Sequence, residues 1–116
     1  MSNEYNIKVL QGSDKTINIV VKSDGTSPDN LTGYTAKMQV RETPTDETVL
    51  DELTTENGRI TITAGEGKIE LSFPNTNTSN YDFENAVYDL ELMVGTPAVV
   101  NRLLQGSFTV DYEVTR

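Results

Sequence analysis

Tyr34-Thr35-Ala36-Lys37-Met38-Gln39-Val40-Arg41 is the stretch whose reading decides the fold. In an extended chain successive side chains point to opposite faces, so Ala36, Met38 and Val40 fall on one side and Lys37, Gln39 and Arg41 on the other. One apolar and one polar face at a period of two marks an antiparallel strand that is half-buried in a sheet. The alternation recurs on both sides of this stretch. Residues 16–22 set Ile17, Ile19 and Val21 against Asn18 and Lys22. Ile60 and Ile62 alternate with threonines, and Ile69, Leu71 and Phe73 oppose Lys68, Glu70 and Ser72. Residues 86–94 place Tyr88, Leu90 and Leu92 opposite Asp89 and Glu91. Residues 99–105 form a further short strand, and residues 107–115 set Phe108, Val110, Tyr112 and Val114 against Thr109, Asp111, Glu113 and Thr115. A strand with mixed faces is expected at residues 49–53.

Turn chemistry separates these runs. Gly25 follows Ser23-Asp24, Asn57-Gly58 is a strong tight-turn pair, Ala64-Gly65-Glu66-Gly67 closes another bend, and Gly95-Thr96-Pro97 turns the chain once more. Residues 74–85, rich in Asn and Thr, are the one place for a helical turn. About seven to nine short strands with turns every 8–12 residues predict an all-β, immunoglobulin-like antiparallel β-sandwich. No repeat, low-complexity tract or linker divides it, so residues 1–116 read as a single domain, with residues 1–11 as an edge strand or a contact arm. The predicted core is Ile17, Ile19, Val21, Met38, Val40, Ile60, Ile62, Ile69, Leu71, Tyr88, Leu90, Leu92, Phe108 and Val110.

Composition narrows the function. The chain has no Cys, His or Trp, which removes thiol chemistry, the usual neutral-pH base and the commonest metal ligand. A formal charge of −9 repels phosphate backbones and anionic lipid, so neither nucleic acid nor membrane is an expected partner. The N-terminus shows no basic, apolar leader, and the expectation is a soluble protein made in the cytoplasm. The sequons Asn30-Leu31-Thr32 and Asn77-Thr78-Ser79 read as chance in a chain rich in Asn and Thr.

Carboxylates are the one abundant catalytic material. Asp89 with Glu91, and Asp111 with Glu113, share outer strand faces, where acids keep a sheet soluble; a glycosidase pair would face across a cleft. Asp24, Asp29 and Asn30, and separately Asp46 and Glu47, are the candidate cation loops, but their spacing departs from the tight alternate ligands that calcium needs. No Ser-x-x-Lys and no phosphate-cradling glycine loop is present. The expectation is a non-enzyme with no cofactor, no metal and no small-molecule substrate. Met93, Leu103 and Leu104 read as core and edge packing, with a contact patch as the alternative.

A longer pattern runs through the chain: Gly12-Ser13-Asp14 before Ile17-Asn18-Ile19, Asn30-Leu31-Thr32-Gly33-Tyr34-Thr35-Ala36 before Met38-Gln39-Val40-Arg41, and Leu53-Thr54-Thr55-Glu56-Asn57-Gly58 with Ile60-Thr61-Ile62. Gly67-Lys68-Ile69, Tyr88-Asp89-Leu90-Glu91-Leu92, Arg102-Leu103-Leu104-Gln105-Gly106-Ser107-Phe108-Thr109-Val110 and Glu113-Val114-Thr115 complete it. In this order the sequence resembles a family of tailed-phage virion domains, the N-terminal domain of baseplate upper proteins and its small free-standing tail-gene relatives. Where such relatives carry an Ala- and Glu-rich helical link, this chain has residues 75–85. The resemblance implies an immunoglobulin-like sandwich acting as a scaffold or attachment unit in a virion, in contact with other virion proteins and copies of itself. The function expected is that of a structural protein of the tail, baseplate or neck. A capsid decoration protein and a surface-binding adhesin module are the alternatives. Strand patterning near both ends makes Tyr5, Ile7, Val9, Tyr112 and Val114 candidate contact residues, with Tyr81 and Phe83 the exposed aromatic pair an adhesin would use.

Overall fold

The computed structural model describes residues 3–22 and 25–112. These residues form nine strands: β1 (Asn3–Glu4), β2 (Ile7–Leu10), β3 (Lys15–Val20), β4 (Thr35–Arg41), β5 (Asp51–Thr54), β6 (Ile60–Thr63), β7 (Lys68–Phe73), β8 (Asn85–Val94) and β9 (Val99–Asp111). A short helix, α1 (Asn75–Thr78), lies between β7 and β8, in the segment where the sequence allows a helical turn. Strand makes up about half of the described residues and helix very little, so the protein is an all-β sandwich.

The larger sheet runs β1-β9-β8-β4-β5, with β2 also on β9; the smaller runs β3-β7-β6. Hairpins join β4 to β5, β6 to β7 and β8 to β9, and the remaining long connections cross between the layers. The alternation read from the sequence fixes which face is buried. In β4 the pattern puts Ala36, Met38 and Val40 inside, paired across the sheet with Leu92, Leu90 and Tyr88 of β8. From the other layer Ile17, Ile60, Ile69, Leu71 and Phe73 close the core. Phe73, Phe108, Met38, Leu53 and Leu90 are fully buried, and each large side chain removed from water contributes about 1.5–3 kcal/mol. Ile19, Val21 and Ile62 of the predicted core are partly buried and pack at its rim.

Three features depart from the sequence reading. Residues 99–105 and 107–115 are not two strands: β9 runs unbroken through Gly106, with a register shift opposite Leu90 and Glu91. The sheets are not wholly antiparallel, because β1 and β2 lie parallel to β9, Asn3 opposite Leu104 and Ile7 opposite Phe108. The strand expected at residues 49–53 is β5, shifted two residues at its start.

Turn residues act as the sequence indicates. Asn57 Oδ1 accepts from the amides of Thr54 and Arg59, its own amide donates to Thr54 Oγ1, and Gly58 follows at φ +80°, a conformation that favours glycine. At α1, Asp14 Oδ1 accepts from the Asn75 amide at 2.6 Å, and the buried Thr78 hydroxyl donates to Ser13 O at 2.9 Å. These two bonds tie the β7–β8 connection to the turn that leaves β2.

Candidate functional site

The edge of the larger sheet carries most of the residues that the sequence marks for contact. Ile7 and Val9 alternate with Lys8 and Leu10 along β2, and the apolar pair turns inward onto the core. Tyr5 N donates to Gln105 O and Gln11 N to Asp111 O, both at 2.9 Å, which pins both ends of the segment. Between them the Tyr88 hydroxyl donates to Tyr5 O at 2.5 Å, and Asn6 Oδ1 accepts from Ser107 N at 3.1 Å. Burial raises the Tyr88 hydroxyl well above its ordinary pKa, with Tyr5 adding to the effect, so it stays a donor. Gly106 makes this approach possible. A Cβ there would lie 2.3 Å from Tyr5 O and 2.9 Å from Asn6 Oδ1.

The site reading therefore changes. Ile7 and Val9 are not contact residues of a free arm, because both side chains are consumed by the core of their own chain. Tyr81 and Phe83 are not an exposed aromatic pair either: they are 4% and 8% exposed and cluster with Phe108. The reason is the crossing from β7 to β8, which lays these rings against Phe108 of the core. Tyr5 and Tyr112 do face solvent, each 47% exposed, on the edge that also shows Leu10. Val114, Glu113 and Asp24 lie outside the described residues.

Tyr81 also completes a polar cluster that no spacing in the sequence announces. The Arg59 guanidinium meets Asp51 through two parallel bonds of 2.7 and 2.9 Å, and its Nε donates to Ser72 O at 3.1 Å. The Tyr81 hydroxyl donates to Asp51 Oδ2. Both charged side chains are nearly buried, and the group bridges β5 of one sheet to the β6–β7 hairpin of the other. Burial lowers the Arg59 pKa, but Asp51 outweighs this and the net shift is upward. Burial is also the main reason that the Tyr81 hydroxyl is raised, with Asp51 next. Fully paired, the cluster is a staple between layers.

Across the outer face of the larger sheet lies an open groove of about 590 Å³, lined by Gln39, Arg41, Asp89, Arg102, Gln105 and Ser107 among others. Its polar groups hold one another. Arg41 donates to Asp46 O at 2.6 Å and to Gln39 Oε1 at 2.8 Å; Arg102 donates to Gln105 Oε1 at 3.0 Å and sits 3.4 Å from Asp89. Asp89 and Glu91 stand opposite Gln39 and Lys37 in register, the pairing of a charge-patterned face. Asn30 Oδ1 is engaged by the amide and hydroxyl of Thr32, and Asp46 Oδ1 by the Thr48 amide, both turn bonds. Among the described residues no three acidic side chains converge as they would around a metal ion. Leu104 is buried, and Met93 and Leu103 are half-buried.

With this topology in view, the chain can be set beside solved structures. It is similar to the N-terminal domain of phage TP901-1 ORF48. The superposition covers 90% of this chain and 83% of that one, with a TM-score of 0.58 and 11% sequence identity, a likeness of fold. No family model matches the sequence, and no curated protein matches it.

Proposed function

We propose that this protein is a structural component of a tailed bacteriophage particle, in the tail, baseplate or neck, and works by protein–protein contact. One observation carries the reading: the fold follows a phage protein domain over nearly the whole of both chains. The molecule's surface agrees with it. The groove on the outer face of the larger sheet is open, and its arginines and glutamines are already bonded to neighbours. Of its lining residues Tyr88 alone is aromatic, and that ring is 4% exposed with its hydroxyl bonded to Tyr5 O, which weighs against the adhesin reading. The contact residues proposed are Tyr5, Leu10 and Tyr112, on the edge where β2, among the described residues, has a strand partner on one side only. On this reading the protein needs no catalytic group and no cofactor, and its place of action is the virion.

Deleting the gene from the phage that carries it tests the assignment. Electron microscopy is expected to show filled heads with absent or incomplete tails. Normal, infectious particles would overturn the proposal, and intact tails on unstable heads would favour a capsid role.

A further inference from the structure

The longest acid-free stretch of this acidic chain is residues 92–110, whose one charged side chain is Arg102. It runs from the end of β8 through the hairpin turn and along β9 as far as Val110. Beyond the core, Val99 and Val100 are 59% and 51% exposed, and the turn that precedes them is exposed throughout. Residues 99–102 pair with β8 on one side, while β1 reaches β9 only at Leu104 and Gln105. Among the described residues, nothing pairs with residues 99–103 on the side away from β8. An unpaired, apolar strand edge is a template for another strand, and Lys and Asp/Glu, the usual safeguards, are missing from it.

We propose that residues 99–103 of β9 pair with the same residues of a second copy, antiparallel, around a two-fold axis at Asn101. The charge distribution selects this occupant. Two copies that each carry −9 repel over most of their surfaces, and along residues 99–103 two copies approach with no carboxylate on the pairing strands, Arg102 facing Asp89 within its own sheet. The segment is self-complementary. Antiparallel pairing about a residue keeps side chains on matching faces, so Val100 meets the copy's Arg102 and Asn101 meets Asn101, while Leu103, skipped in the β8–β9 register, marks the end of the regular segment. The two larger sheets then become one continuous sheet. The contact is small, below the ~1,200 Å² of stable complexes, so the pair is weak in dilute solution and forms at high local concentration. This inference does not depend on the phage reading; it stands or falls on the hairpin.

A chain without Cys makes the test direct. Asn101→Cys, at millimolar protein, is expected to yield a covalent dimer on mild oxidation or with a short bis-maleimide, at least ten times faster than Thr61→Cys on the exposed side of β6. Sedimentation equilibrium of the wild-type chain should show a concentration-dependent dimer that V99E/V100E abolishes and Val20→Glu, another exposed valine, retains. Equal cross-linking rates for the two cysteines would overturn the proposal. So would a chain that stays monomeric at millimolar concentration, or a dimer insensitive to V99E/V100E.

Discussion

Replacing Gly106 by alanine adds one methyl group at the point where the N-terminal segment crosses β9. The new Cβ would stand 2.3 Å from Tyr5 O and 2.9 Å from Tyr5 C, both backbone atoms with no flexible end to swing aside. Ordinary carbon–oxygen contact is about 3.5 Å, so the strands must separate by about 1 Å or the segment must detach. Overpacking of this kind costs about 1–3 kcal/mol when the structure can shift. Detachment sets the ceiling, because it would expose Ile7 and Val9, now 2% and 0% exposed, at about 1.5–3 kcal/mol each. The expected loss is therefore about 2–4 kcal/mol, read as a lower urea midpoint. Amide exchange should accelerate at Ile7–Leu10 well before it does at β4. A Gly106→Ala chain within about 0.5 kcal/mol of wild type, with β2 still protected, would refute the reasoning.

Three further outcomes follow from the same geometry. Asp51→Ala strands the buried Arg59 guanidinium and should cost about 3–5 kcal/mol by denaturant unfolding, whereas replacing both residues by apolar ones of similar volume should cost less. Leu90→Ala, at a fully buried site opposite Met38 and Leu104, should cost about 2–5 kcal/mol, and a loss under about 0.5 kcal/mol would show that the face is misassigned. Tyr81 and Tyr88 hold their protons more tightly folded than unfolded, so above pH ~10 the unfolded state binds fewer protons and stability falls as pH rises, by at most about 1.4 kcal/mol per pH unit for each. Thermal melts of Tyr88→Phe should therefore show a flatter alkaline limb than wild type.

The strand faces were legible because a half-buried sheet writes its orientation into a period of two. Met38, Leu90, Leu71 and Phe108 needed only that rule. Parallel pairing of the first strand was not legible, since the patterning of Tyr5, Ile7 and Val9 is the same whichever way the neighbouring strand runs. Gly106 reads in sequence as a break between two strands; its role depends on the approach of Tyr5, which lies far away along the chain. Tyr81 and Phe83 sit in a segment dense with Asn, Thr and Ser, and local polarity predicted exposure. Burial there comes from the path of the β7–β8 crossing over the core. The Arg59–Asp51–Tyr81 cluster escaped for a related reason. Each member alone resembles a surface residue, and only the stacking of two sheets brings them together.

The role proposed for this β-sandwich is that of a building block of a phage particle. Counting its peptides against isotope-labelled standards, in particles purified by density gradient, tests that most directly. The account predicts a fixed copy number per particle, a multiple of the symmetry of the tail or baseplate. Particles that are infectious and complete yet hold none of this chain, while the host lysate contains it, would contradict the account.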